Sequence, residues 1–277
     1  QKRIGYTSRI AVNNSQSGTV DRFFSYFANG SYSFDKRYIL SASARKDESN
    51  LFGVDANKKG VPLYSIGISW DISRENFYKF SLLPYLRLRL TDGYNGNLSK
   101  NLSAYTTAEV IAGFNRYTSP FQRIVNPPNP SLSWEKVHVY NVALDFGFKN
   151  NVIAGSVEYY SKKGLDLIGN SPVAPQTGLL QFTGNTADML TKGLDVSLNS
   201  LNVNRKIRWT TNFLLSYVTD KITSYKLQKG INQTIVEGNY LNPIVGKPYS
   251  SIFSYKWSGL DDKGNPVGLL EGEKTAD

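Results

Sequence analysis

Links of alternating length constrain this chain more than any other feature. Its strand-like runs are joined by short links at 35–36, 73–79, 149–150 and 201–205, and by long ones at 47–60, 92–133, 161–187 and 220–248. Strands connected in this way run up and down, and every long loop falls at the same end. A transmembrane β-barrel has this pattern, with tight turns at one rim and long loops at the other. A soluble sandwich could accommodate any single hairpin, but it has no reason to gather all its long loops at one end.

The runs themselves show a period of two, and side chains alternate faces along a strand. From His138 to Phe148, one parity carries His138, Tyr140, Val142, Leu144, Phe146 and Phe148, and the other carries Val139, Asn141, Ala143, Asp145 and Gly147. Lys149 and Asn150 make a turn, and the return strand places Ile153, Gly155, Val157 and Tyr159 opposite Ala154, Ser156, Glu158 and Tyr160. The same alternation predicts strands over 21–34, 37–46, 61–72, 81–91, 192–200 and 206–218, with weaker ones at 3–12 and 249–257. Most exceed the roughly 9–11 residues that cross a bilayer at a tilt. The expected fold is all-β: about ten strands forming an arc of a larger antiparallel transmembrane barrel. Phe34, Tyr38, Trp70, Phe148, Trp209 and Tyr217 stand near strand ends, where interfacial aromatic girdles belong.

Composition agrees with this reading. The hydrophobic fraction of 40% is low for a soluble core in 277 residues, whereas 13% aromatic is high. There is no cysteine for a disulfide or thiolate site. The formal charge is +10, but Lys and Arg are scattered through turns and loops with no arginine-rich helix, so nucleic acid is not an expected partner. No stretch approaches the roughly 18 apolar residues of a membrane helix. Both ends read as cut, which makes residues 1–277 one partial barrel domain.

Within the predicted strand at 81–91, Leu86, Leu88 and Leu90 share one parity, and Arg87 and Arg89 the other. An arginine pair cannot face a dry core cheaply. It can face a water-filled lumen, where it would help set lumen charge or simply be part of the wall.

The segment NPSLSWEKVHVYNVALDFGF, residues 129–148, resembles the SusC/RagA family of TonB-dependent outer-membrane transporters of Bacteroidetes. The resemblance is carried by Asn129, Pro130, Leu132, Trp134, Glu135 and Lys136, then by Leu144, Asp145, Phe146 and Gly147, with Ala143 where the family has Gly. Residues 25–53, 191–200 and 255–268 are similar to further family segments in the same order, although Lys46-Asp47-Glu48 departs from the pattern. The resemblance implies a plugged barrel of about 22 strands in the outer membrane of a Gram-negative bacterium. It further implies import of oligosaccharides or peptides, a SusD-like surface lipoprotein as lid, and energy from TonB through a part that has no counterpart here. Without the resemblance, a barrel enzyme, a passive porin and an adhesin stay open.

Little in the sequence points to bond chemistry. His138 is the sole histidine and has no nucleophile motif beside it. Neither a metal-spaced cluster nor a cofactor motif is found, and Asp261 to Asn265 reads as an Asx/Gly turn rather than a calcium loop. Asp145 and Glu158 are inward carboxylates that could pair for acid/base work or bridge to a basic neighbour. In the long loop, Tyr94, Tyr105, Phe114, Tyr117 and Phe121 lie among Asn and Ser. These aromatic residues are the candidate substrate contacts, and the same composition suits a loop gripping a lipoprotein lid.

Overall fold

The computed structural model describes residues 18, 20–50, 60–97, 102–111, 113–172, 176, 178–179, 181–226, 235–236, 243–270 and 273–275. In chain order its strands are β1 (Phe23–Phe34), β2 (Tyr38–Ser49), β3 (Gly60–Asp71), β4 (Tyr85–Asn97), β5 (Thr107–Ile111), β6 (Phe121–Asn126), β7 (Glu135–Gly147), β8 (Ile153–Pro172), β9 (Gln181–Asn204), β10 (Arg208–Tyr225), β11 (Lys256–Leu260), β12 (Pro266–Leu270) and β13 (Glu273–Thr275). One antiparallel sheet dominates, in the order β1-β2-β3-β4-β7-β8-β9-β10. Two small sheets, β5-β6 and β11-β12-β13, are inserted in or follow its long connections. The predicted weak strand at 3–12 lies outside the described residues.

The register of this sheet separates two solvents. Phe34, Tyr38, Trp70, Leu88, Leu144, Val157, Val196 and Leu215 follow one another across all eight strands. The next row of the same face reads Tyr32, Leu40, Ile68, Leu90, Val142, Tyr159, Leu194 and Tyr217. No polar residue interrupts either row, yet among the described residues no second layer covers them: Tyr32 is 65% and Leu215 48% exposed. A sandwich would bury this face against its partner sheet. An apolar patch this extended, left open, marks a surface made for lipid.

Toward the long loops the apolar face turns polar, but at a different level on different strands. The third row reads Gly30, Ala42 and Ile66 on β1–β3, then Asp92, Tyr140, Ser161, Lys192 and Thr219 on β4–β10. Strands of a barrel tilt against the membrane normal, so a boundary parallel to the membrane crosses the cross-strand rows obliquely.

The short-turn rim is held by side chains from several elements. Asp35 and Lys36 both have positive φ, 51° and 54°, as the two central residues of a type I′ turn need, and Arg37 N–H closes the turn on Phe34 O at 3.0 Å. Glu75, in the β3–β4 link, accepts from Arg37 Nη1 and Trp70 Nε1, each at 2.9 Å, and from the Tyr38 hydroxyl. Tyr38 and Trp70 stack with their planes 12° apart. Hydrogen bonds from Tyr38 and Trp70, then the Arg37 charge, hold the Glu75 carboxyl below the usual carboxylate range. A depressed carboxyl stabilises the fold fully above its ordinary pKa of about 4.3 and loses that contribution as pH falls through the depressed value. Glu75→Gln in the intact protein is therefore expected to lower the urea midpoint at neutral pH. Its difference from wild type should close in acid below about pH 4. A midpoint difference that persists unchanged at low pH would show that the carboxylate charge is not what holds this rim.

Several predicted boundaries move. β4 begins at Tyr85 rather than Ser81, because Pro84 has no N–H for a ladder, and it runs on to Asn97. Strands β8 and β9 carry 20 and 24 residues, about twice a bilayer crossing, so much of the expected loop at 161–187 is paired hairpin. Strand β10 likewise continues to Tyr225. The expected last strand at 249–257 is found only as β11, which starts at Lys256 and belongs to the small terminal sheet.

Candidate functional site

The face opposite the apolar rows is charged, and Arg87 and Arg89 on it are paired with carboxylates. Arg89 donates to Asp145 through two nitrogens, Nε at 2.8 Å and Nη2 at 2.9 Å, and its Nη2 lies 3.9 Å from Glu158 Oε2. Arg87 reaches Asp71 at 3.3 Å, and Arg74 reaches the same carboxylate at 3.0 Å. The register explains this: Asp71, Arg87 and Asp145 form one cross-strand row, and Arg89, Ala143, Glu158 and Asp195 form the next. Asp145 and Glu158 thus bridge to a basic neighbour, Arg89, rather than standing as a free carboxylate pair. Partial exposure keeps such ion pairs affordable beside water. Phe27 and Leu214 on this same face are exposed and break the alternation, and nothing described packs on them.

At the loop end, the segment 129–134 enters a cluster of buried apolar side chains. Leu132 and Trp134 are buried with Val61 and Ala104, and Leu63 and Leu102 pack against them. Asn129 N–H donates to Ala104 O at 2.9 Å, and Leu132 N–H to Asn129 O at 3.1 Å, which turns the chain into β7. Asn185 on β9 clamps this segment: its Oδ1 accepts from Ser133 N–H, and its Nδ2 donates to Ser133 O, both at 2.9 Å. Asn185 also donates to Asp166 O. Glu135 accepts from Ile168 N–H at 2.7 Å and from Asn97 Nδ2 at 2.9 Å. The quoted motif therefore fastens the long β4–β7 connection to three strands. Nothing in the sequence pattern links it to Val61, Leu63 or Asn185, which lie far away along the chain.

The five candidate aromatic residues do not form one group. Tyr94 stands on β4, not in a loop, and on the apolar side of the sheet, where it stacks on His138 with ring centres 4.4 Å apart. Phe121 opens β6, paired with Ile111. Tyr105, Phe114 and Tyr117 flank or cap the β5–β6 hairpin and are 68%, 69% and 79% exposed. Arg87 and Arg89 occupy the charged face described above. The sequence missed a cavity of about 480 Å³ between the extended ends of β8–β10 and the 243–249 segment, lined by Glu135, Ile168, Met189, Ile222, Tyr225 and Tyr249 among others.

His138 Nε2 lies 2.7 Å from Asp92 Oδ2, and the hydroxyl that reaches this pair is that of Tyr64, 3.5 Å from Asp92 Oδ1; no serine or threonine hydroxyl bonds it among the described residues. Neither do those residues gather three metal-binding side chains. Asp261 forms an Asx turn, accepting from Lys263 N–H at 2.9 Å and Asn265 N–H at 2.7 Å. The Asn265 contacts, first among these hydrogen bonds, hold its carboxyl below the usual range.

A family model described as TonB dependent receptor-like, beta-barrel, matches residues 2–268. The TonB-dependent receptor SusC of Bacteroides thetaiotaomicron is 27% identical over 272 residues, which cover 90% of this chain and 26% of that protein. A TonB-dependent receptor of Formosa agariphila is 29% identical over 204 residues, covering 72% of this chain and 20% of its own length. Among solved structures, the RagAB peptide transporter superposes with a TM-score of 0.78 at 25% identity, covering 93% of this chain and 29% of that one. The RagAB peptide importer in its closed-closed state gives 0.79 at 24% identity, with 92% and 29% covered. The chain thus spans about a quarter of the length of the curated relatives it matches.

Proposed function

This chain belongs to the TonB-dependent receptor β-barrel family of the outer membrane, and from that we propose that it is a stretch of barrel wall in an energised nutrient importer. The imported molecules are oligosaccharides or peptides, a SusD-like surface lipoprotein closes the loop end, and TonB supplies energy through other parts of the protein. No bond is made or broken in this reading.

The observation that carries it is the division of one sheet between two solvents. An uninterrupted apolar face meets lipid, and the opposite face holds the ion pairs of Arg87 and Arg89 as the wall of a wet lumen. The extended β8–β9 hairpin and the 129–134 clamp raise a rigid collar beyond the membrane at the loop end. On that collar the exposed rings of Tyr105, Phe114 and Tyr117 are the surface for substrate or lid. Tyr94 is less suited, because its ring stacks on His138 on the lipid side.

Deleting the whole receptor from its host tests this. Growth on one class of oligosaccharide or oligopeptide as sole nutrient should be lost, and a surface lipoprotein should co-purify with the intact receptor. A mutant that imports every such nutrient at the wild-type rate, or a purified receptor that hydrolyses its ligand, would sink the importer reading.

A further inference from the structure

The apolar face ends, on its last three strands, in a triangle of lysines. Lys163 on β8, Lys192 on β9 and Lys221 on β10 all stand on the lipid-side parity. Lys192 pairs with Ser161 and Thr219, and Leu190, between Lys163 and Lys221, occupies the next row. Diagonal neighbours in a sheet stand about 7–8 Å apart, so Lys192 is near both other lysines. Lys163 and Lys221 are two strands apart, about 10 Å. All three are exposed, and none has a carboxylate partner among the described residues, where other cations such as Arg37, Arg87, Arg89 and Lys226 do. Of the carboxylates on this face, Asp92 pairs with His138, Glu48 with Lys46, and Asp188 accepts the Asp166 N–H.

Immediately below the triangle lie Tyr159, Leu194 and Tyr217, the last apolar row. The lysines therefore sit at the height where acyl chains give way to headgroups. Three unpaired ammonium groups gathered at that level, with the hydroxyls of Ser161 and Thr219 between them, are unfavourable to one another unless an anion joins them. The anion that reaches a lipid-facing surface at that height is the phosphate of a membrane lipid. We infer that Lys163, Lys192 and Lys221 form a binding site for the phosphate headgroup of an outer-leaflet lipid. Ser161 and Thr219 act as hydroxyl donors, and the lipid's chains run down over Tyr159, Leu194 and Tyr217. The site rests on the membrane orientation of the sheet and not on what the receptor imports.

The test uses the full-length receptor in detergent, offered an equal mixture of phosphatidylglycerol and phosphatidylcholine, with bound lipid counted by native mass spectrometry at low salt. The wild type retains phosphatidylglycerol in preference. At about fivefold per lysine near an anionic headgroup, the triple variant Lys163→Gln, Lys192→Gln, Lys221→Gln is expected to lose that preference by about a hundredfold. A charge-matched control, Lys247→Gln, Lys256→Gln, Lys263→Gln, removes three other exposed lysines and should bind as wild type does. Equal retention by wild type and triple variant, equal loss in the control, or displacement of the lipid by equimolar inorganic phosphate would each overturn the site. Should the triple variant fail to assemble, Lys163→Gln and Lys221→Gln read out singly, each losing about fivefold. Unchanged retention in both would overturn it equally. Failure to import a given nutrient leaves this result untouched, so the two readings fail separately.

Discussion

Replacing Trp134 by alanine in the full-length receptor is expected to release the whole β4–β7 connection from the wall. Trp134 is 4% exposed and Leu132 1%, and together with Val61 and Ala104 they form an apolar cluster that the 102–134 stretch shares with the sheet. Truncating a buried Trp costs about 3–5 kcal/mol, because the cavity it leaves closes only partly. Here that cost falls on local opening rather than on the barrel, since β3, β4 and β7 keep their ladders. Amide exchange over 129–134 should then quicken by about two to three and a half orders of magnitude, at a factor of ten per 1.4 kcal/mol. Exchange in β8 and β9 away from Asn185 should stay near wild type. Trp134→Phe keeps most of the volume and should lose much less. Equal protection of 129–134 in wild type and Trp134→Ala would mean that the Asn185 clamp alone holds this segment.

The importance of Trp134 could be named from the sequence only by resemblance, whereas the faces of the strands could be read directly. The reason lies in the solvents. Between Tyr32 and Phe34, or between Leu194 and Leu198, one side chain meets lipid and the next meets water, so hydrophobicity itself alternates. Beyond the membrane both faces of a strand meet water or protein. In Ser161–Gly164 and Thr183–Asn185 the backbone stays paired, but no alternation remains to reveal it, and the stretch reads as loop. The same loss at Asp92–Asn97 moved Tyr94 out of its strand and into the supposed binding loop. Contacts that close over long separations are hidden for a different reason. Glu75 is a link residue like any other until Arg37, Tyr38 and Trp70 are brought around it. The Arg89–Asp145 pair lies between these cases. Parity put both on the inner face, and only the register put them in reach of each other.

Glycine separates backbone contact from side-chain contact in this wall, and two single substitutions expose the difference. A Cβ on Gly155 would lie well inside 3.0 Å of Ser197 O, a backbone atom of the paired strand β9, and also within 2.9 Å of Leu198 Cδ2. Neither strand can yield without breaking the β8–β9 ladder near the short-turn rim. Gly155→Ala is therefore expected to cost about 3 kcal/mol or more, at the upper end for overpacking. Gly193 is hemmed in as closely, but by the ring of Tyr160, its direct cross-strand partner. That ring can swing away, losing its cover over Gly193 and its contact with Lys162 Nζ at 4.5 Å. Gly193→Ala should cost no more than about 1 kcal/mol. Urea midpoints and the fraction of receptor that keeps the compact, heat-sensitive migration of a folded barrel measure both. The expected order is wild type, Gly193→Ala, then Gly155→Ala far below. If the two variants were equally damaged, the ladder at Gly155 would be no stiffer than a tyrosine side chain.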